Sequence, residues 1–291
     1  MGFVLAAEER TFTDEQLVTA LSRFGVVAEI VLSADVPTRV VAGDTVLGRV
    51  ALLPSLDGVQ SCVWDLRRLE RRSVRVLNPA SALLATHDKL MTALRLARSG
   101  INHPKTAHID DDAAVSPEQT FPVVVKPRFG SGGRDVVRCE NRTSLQRSLQ
   151  RLRGKSWFRR QGALVQELVG SHDGRDVCLL VCRGDVVGGV SRHTDGDWCV
   201  DAREAQITPV VGTVQERATA VAAAAAFGAD LVVVELLATA SGPVVLELDA
   251  AAPFDARYGL PGQDVFEEVA RRLHEEDGTN PGLGAVAAPV A

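Results

Sequence analysis

The stretch Phe121–Arg134 reads FPVVVKPRFGSGGR. It begins as an uninterrupted apolar strand, Phe121 to Lys126, and ends on a lysine. It then turns through Gly130-Ser131-Gly132-Gly133 before Val136 to Arg138 resumes as a strand. Burying an ammonium costs on the order of several kcal/mol unless an anion lies near. Glycines let backbone N–H groups approach a ligand closely, and such loops cradle phosphates. No Gly-Lys-Ser/Thr follows, so this is not a P-loop. A strand rather than a helix comes next, which excludes a dinucleotide fingerprint. The plain alternative is a glycine hairpin whose lysine reaches solvent.

A second segment, Leu231–Asp249, places Glu235 inside the apolar run LVVVELL and Glu247 and Asp249 in LELD. Strand alternation puts Glu247 and Asp249 on one sheet face, and the turn at Ser241-Gly242 lets Glu235 reach it. Three carboxylates in buried strands repel one another unless a cation joins them. Oxygen ligands select Mg²⁺, which in turn holds substrate phosphates. Carboxylates facing solvent at a sheet edge are the alternative. A third segment, LVQEL (Leu164–Leu168), ends in polar residues and precedes Asp176, so it can offer backbone groups to a base and a carboxylate to a ribose. Lys89, in HDKLM at a helix start, is uninformative alone. Together, two lysines, a glycine loop, a polar strand end and a carboxylate cluster make a nucleotide site unlike that of P-loop proteins.

The flanking sequence alternates strands and helices. Phe3–Ala7 reads as a strand, Glu15–Phe24 as a helix capped by Thr13 or Asp14, and Val26–Leu32 as a strand. Thr38–Ala42, Val46–Leu53 and Gln60–Asp65 read as strands and Leu66–Arg72 as a helix. This pattern predicts a small parallel α/β layer ending near Asn78-Pro79. Ser81–Ser99 reads as a helix broken near Thr86, Ser144–Leu152 as an amphipathic helix, and Asp176–Arg183 with Asp185–Arg192 as a hairpin. Thr213–Phe227 and Val265–His274 are the last helices. The Gly-, Ala- and Pro-rich tail, 277–291, is expected to be mobile.

The chain has 291 residues and a net charge of −5, with 46% hydrophobic and 4% aromatic residues. That balance argues against coating nucleic acid and against stacking platforms for single strands. The five cysteines include no C-x-x-C pair, so no disulfide or zinc framework is read and a reducing cytoplasm is expected. The most apolar stretch, Ala218–Ala240, is interrupted by Gly228, Asp230 and Glu235 and is not a membrane span.

In this order the motifs resemble the ATP-grasp superfamily, specifically its RimK-type carboxylate–amine (alpha-L-glutamate) ligases, and are similar also to LysX-type lysine-biosynthesis ligases. The resemblance runs from about Leu77 to Leu273 and covers NPASALLATHDKLMTALRLARSGINHPKTA, FPVVVKPRFGSGGRDVV, ALVQELV, Asp176, RHTDGDW, VVVELL and LELDAAAPF. It implies mixed α/β and α+β architecture: an N-terminal pre-ATP-grasp α/β domain (1–79), a central lid (80–168), a C-terminal grasp subdomain (169–276) and the tail. It implies that Lys89 and Lys126 hold the nucleotide phosphates under a mobile loop, Gly130, Ser131, Gly132 and Gly133. Glu167 and Leu168 would bind adenine, Leu168 through its backbone, with Asp176 near the ribose and Asp201 also at the nucleotide. Arg192 would stabilise the transferred phosphoryl group, and Glu235, Glu247 and Asp249 would ligate Mg²⁺ (or Mn²⁺).

The chain departs from its relatives in places. They usually carry Asp at position 235 and Asn at 249, Arg at 178, and Arg-Ser/Thr-Asn at 199–201, where this chain has Glu235, Asp249, Cys178 and Cys199-Val200-Asp201. Ala205-Gln206 stands where they tend to have Gly-Gly or Gly-Ala. The implied activity is ATP-dependent amide formation through an acyl phosphate. It would join an amino acid such as glutamate to a carboxylate acceptor: a peptide, a protein, a carrier or a small metabolite. Neither nucleic acid nor membrane is implied, and relatives commonly form homo-oligomers. The departures motivate an alternative, a non-catalytic relative that binds nucleotide or a partner protein.

Overall fold

The computed structural model describes residues 2–50, 61–72, 74–110, 120–130, 133–171, 174–193 and 206–275. Its strands fall into three sheets. The first is parallel, in the order β2-β1-β3-β4, from β1 (Phe3–Ala7), β2 (Ala28–Leu32), β3 (Thr45–Arg49) and β4 (Arg75–Leu77). Helices α1 (Phe12–Arg23), α2 (Val36–Arg39) and α3 (Ser61–Leu69) connect them. Two strand expectations are corrected here. Thr38–Ala42 gives way to the short helix α2, because Pro37 sits in its first turn, where a missing N–H costs nothing. Gln60–Asp65 gives way to α3, whose Val63, Leu66 and Leu69 recur at helical spacing on the buried side. Helix α1 starts before the expected caps, because Thr11 accepts the Asp14 N–H. Residues 51–60, where the expected strand Val46–Leu53 would end, lie outside the described residues.

Helices α4 (Ala80–His87) and α5 (Lys89–Arg98) are separated at Asp88, close to the expected break. They lead into an antiparallel sheet in the order β5-β8-β6-β7, from β5 (Thr106–Ile109), β6 (Val123–Pro127), β7 (Val137–Cys139) and β8 (Ala163–Glu167). Helices α6 (Arg142–Leu152) and α7 (Ser156–Gln161) cover it and close a small core of their own. A full capping box, Asn141 with Ser144, starts α6 two residues before the expected helix.

The third sheet, β11-β10-β9-β12-β13, comprises β9 (Arg175–Cys182), β10 (Asp185–His193), β11 (Gln206–Pro209), β12 (Leu231–Thr239) and β13 (Gly242–Asp249), all paired antiparallel. Alternation along β9 sends Val177, Leu179 and Val181 into one core and Cys178, Leu180 and Cys182 into the other. The first core is closed by α4, α5 and the alanine face of α8 (Val214–Phe227). The second is closed by α1 and by α9 (Val265–His274), which pack against each other. That docking fixes the parallel layer against the α1/α9 face of the third sheet. Among the described residues, no helix is long and apolar enough to cross a membrane.

Candidate active site

Register collects the polar residues of the third sheet. Asp176 pairs with Arg192 and Cys178 with Val190 across β9–β10. Cys178 also pairs with Glu235 across β9–β12, and Glu235 with Glu247 and Val233 with Asp249 across β12–β13. Paired residues share a face, so Asp176, Arg192, Glu235, Glu247 and Asp249 rise together from the sheet on the α1/α9 side. Arg192, Glu235, Glu247 and Asp249 line one cavity of about 570 Å³.

The second sheet and the start of α5 meet this floor through charged residues. Lys89 opens α5, where Asp88 accepts the Leu90 and Met91 N–H groups as its N-cap. Its Nζ lies 2.8 Å from Glu247 Oε1 and donates to the Gly130 carbonyl at 2.6 Å. Asp88 also takes both arms of Arg128, at 2.8 Å from Nε and 2.5 Å from Nη2. A bidentate pair of this kind fixes orientation as well as charge. It anchors the residue just before the glycine loop to the start of α5. Lys126, half-buried on β6, lies close enough to act on the charge of Glu247. Gly130 and Gly133 have φ of 130° and 67°, which an L side chain rarely adopts. Ser131, Gly132 and Asp201 lie outside the described residues.

At the far end of the lid sheet, Glu167 closes β8. Its N–H donates to the Lys105 carbonyl at 2.8 Å, and its Oε2 accepts the Lys105 N–H at 3.3 Å. The Leu168 N–H donates to Pro122. These bonds hold the strand end against the entries to β5 and β6.

Each charge shifts its neighbours. Enclosure alone would raise the Glu247 carboxyl, but Lys89 and Lys126 hold it below the ordinary carboxylate range. Asp176 is pushed up to about 6, by burial first and then by Glu235, against the pull of Arg192. Asp249 sits deep in the cleft but open to its solvent. Enclosure raises its carboxyl, opposed by the Ala251 N–H and reinforced by Glu247. Arg192 Nη2 lies 2.6 Å from Glu235 Oε2, and its Nε is buried without a hydrogen-bond partner among the described residues. A buried guanidinium with an unused donor is suited to a further anion.

Glu235, Glu247 and Asp249 form an all-oxygen donor set, the chemistry that suits Mg²⁺. Among the described residues no three His, Cys, Asp or Glu side chains converge as a metal cluster. Arg192 draws Glu235 and Lys89 draws Glu247, so two of the three carboxylates are already matched by a cation. The three carboxylates thus suit the ion by donor chemistry but do not converge on one point in this arrangement.

Sequence reasoning missed several parts. Asp14 and Arg49 form a buried ion pair at 2.5 Å, and Arg49 Nη2 donates to the Ala252 carbonyl at 3.1 Å, tying the parallel layer to the loop after β13. An arginine inside the apolar run TVLGRV was the available signal. The Asp88–Arg128 clamp had no local signal, since its partners are forty residues apart. The cavity's aromatic wall, Phe12, Phe254 and Tyr258, likewise joins distant segments.

Comparison with known proteins matches residues 86–269 to the RimK-like ATP-grasp domain. A probable alpha-L-glutamate ligase of Thioalkalivibrio sulfidiphilus is 33% identical over 216 residues, 72% of this chain and 70% of that protein. Among solved structures, the RimK domain protein ATP-grasp of Sphaerobacter thermophilus superposes with a TM-score of 0.67 at 21% identity, covering 93% of this chain and 98% of its own. The ATP-grasp ligase PsnB, solved with a phosphomimetic variant of its minimal precursor, Mg and ADP, gives a TM-score of 0.67 at 18% identity, covering 93% and 97%.

Proposed function

The chain belongs to the RimK-like ATP-grasp family, and on that basis we propose that it is an ATP-dependent carboxylate–amine ligase. The observation that carries this reading is the meeting of lid and floor. Lys89 and Lys126 converge on Glu247, and Arg192 is held beside Glu235, with the glycine loop above.

Lys89 and Lys126 hold the phosphates of ATP, and Glu167 and Leu168 receive the base. Mg²⁺, held by Glu235, Glu247 and Asp249, would neutralise charge building on the transferred phosphoryl group; Mn²⁺ shares the same oxygen preference. The acceptor carboxylate attacks the γ-phosphorus, the bond to the β-phosphate oxygen breaks, and ADP leaves. Arg192 places its guanidinium beside the acyl phosphate so formed. An amine nitrogen then attacks the acyl carbon, loses its proton and expels phosphate, leaving an amide. No side chain becomes covalently attached. The protein contributes positioning, charge and exclusion of water from the acyl phosphate.

Lys89 and Arg192 are each paired with a carboxylate in this structure, so their release toward phosphate frees Glu247 and Glu235 for the metal in the same motion. The amine is an amino acid, as the names of the curated relatives indicate for those proteins, and the acceptor is a peptide, protein, carrier or metabolite. We place the reaction in the cytoplasm, where ATP is available.

The test is twofold. A non-hydrolysable ATP analogue should bind at micromolar concentration in a Mg²⁺-dependent way, read by calorimetry. ADP and phosphate should then form only when both an acceptor and an amine are present. Analogue binding without amine-dependent turnover would favour a non-catalytic nucleotide-binding relative, and no binding would remove the site.

A further inference from the structure

We propose that the cavity beside the carboxylate floor receives the side chain of an apolar, aromatic-sized amino acid substrate rather than that of glutamate; this deepens the ligase reading and rests on it. The cavity, about 570 Å³, is of the size that holds small-molecule ligands. Its charged end is the floor of Arg192, Glu235, Glu247 and Asp249. Away from that end, Val190, Ile207 and Val233 supply aliphatic surface from neighbouring strands, and Phe12, Phe254 and Tyr258 supply aromatic surface. Aromatic residues are only 4% of this chain, so their gathering at one cavity marks the wall as specialised. Phe254 stacks on Phe266 at 5.3 Å and meets Tyr258 edge-on at 6.2 Å. Phe12 stands at the mouth, 61% exposed, touching Phe266 by an edge. An exposed phenylalanine at a cavity mouth exposes apolar surface that a ligand ring or aliphatic chain can cover.

Charge argues in the same direction. Among the described residues, the cations lining the cavity are Arg192 and Arg257. Arg192 faces Glu235 and keeps its Nε for the phosphoryl group of the proposed reaction, and Arg257 is gripped by both oxygens of Asp255, from Nε at 3.0 Å and from Nη2 at 2.6 Å. A substrate side-chain carboxylate would leave water for an apolar wall that offers no uncommitted cation among the described residues, which is unfavourable. A phenyl or isobutyl group meets no such cost.

The test uses the full chain with Mg²⁺ and the analogue AMP-PNP, and titrates L-phenylalanine, L-leucine and L-glutamate by calorimetry. Phenylalanine or leucine should bind at least about tenfold more tightly than glutamate, the scale expected of side-chain discrimination in a pocket. Glutamate binding as tightly or more tightly, or no amino acid binding at all, overturns the proposal. The panel is repeated without nucleotide. Loss of AMP-PNP binding alone then counts against the ligase reading, while the side-chain preference is still read. Phe12→Arg, at an exposed position that the fold does not need filled, should weaken phenylalanine about tenfold and improve glutamate. Phe12→Leu should keep the wild-type order. An unchanged order in Phe12→Arg would overturn the assignment of the mouth.

Discussion

Lys89 and Glu247 stand 2.8 Å apart, and the same ammonium donates to the carbonyl of Gly130. One side chain thus joins the start of α5, the carboxylate floor on β13 and the glycine loop of the lid. The pair also sets the charge state of the floor, because Lys89 is the largest influence holding Glu247 below the ordinary carboxylate range against its burial.

Lys89→Met should therefore weaken nucleotide-analogue binding about ten- to hundredfold, or roughly 1.4 to 2.7 kcal/mol. It should leave the fold intact, since methionine keeps most of the length of a side chain that is only 13% exposed. Glu247→Gln should act differently. It removes one oxygen of the proposed metal set and frees Lys89, so binding should lose its Mg²⁺ dependence more than its strength without metal. Calorimetry with and without EDTA separates the two. Equal loss in both variants under both conditions would refute the division of roles.

Asp176 gives a prediction in pH. Its folded carboxyl is pushed up to about 6, above an ordinary 3.8, by burial and by Glu235. Below about pH 4 it is protonated folded and unfolded alike, and it has no effect. Between about pH 4 and 6 the unfolded chain ionises first, so the native state binds more protons and stability falls with rising pH. Above pH 6 the loss is complete, at up to about 3 kcal/mol for a shift of this size. In metal-free protein, Asp176→Asn should gain stability relative to wild type across that window, by denaturant midpoint, and show no gain at pH 4. A gain already present at pH 4 would mean that Asp176 acts through packing instead.

Much of this was legible because it is periodic. The strand expected over Phe121–Lys126 and found at Val123–Pro127, the hairpins β9–β10 and β12–β13 and the last helix were read from alternation and turn residues, and the shared face of Glu247 and Asp249 follows from spacing alone. The short parallel layer was read less well. A run such as Val36-Pro37-Thr38-Arg39 is too brief to show a period, and Ser61–Leu69 mixes charge with apolar residues in a way that only burial of Val63, Leu66 and Leu69 resolves. The site was legible as residue types and illegible as pairings. Which cation meets which carboxylate depends on chain separations that local pattern does not encode.

Asn78 shows the limit most sharply. The sequence marks Asn78-Pro79 as a boundary, and in the fold that asparagine is a buried hub at φ 51°. Its amide donates to the carbonyls of Gly48, Leu231 and Ala250, and its oxygen accepts the N–H groups of Asp230 and Leu231. It joins the parallel layer to the third sheet. Asn78→Ala strips partners from five buried backbone groups and places a Cβ residue without side-chain compensation in the left-handed region. It should cost about 3 to 5 kcal/mol. Asn78→Asp keeps the acceptor but sets a carboxylate oxygen against three carbonyls, so its urea midpoint should also fall, and by more at neutral pH than at low pH, where the protonated carboxyl can donate. Equal midpoints for wild type and alanine would show that water replaces the hub.

Gly188 tests the wall of the cavity from behind. Its bridge partner is Gly259, and a Cβ at position 188 would lie 2.3 Å from the Tyr258 carbonyl oxygen and 3.2 Å from Val265 Cγ2. The nearer atom is backbone, so a side-chain rotation cannot relieve the clash. The turn Ala256–Tyr258 must move, and it carries Arg257 and Tyr258 on the cavity lining. Overpacking of this kind costs about 1 to 3 kcal/mol, and here the displacement is directed at the substrate wall rather than at the nucleotide. Gly188→Ala should therefore lower the thermal midpoint by several degrees, weaken binding of the preferred amino acid, and leave the affinity for AMP-PNP within about twofold of wild type, which is roughly 0.4 kcal/mol. A parallel loss of nucleotide affinity would mean that the wall and the phosphate site move as one body, and the side-chain pocket could no longer be treated as separable from the grasp.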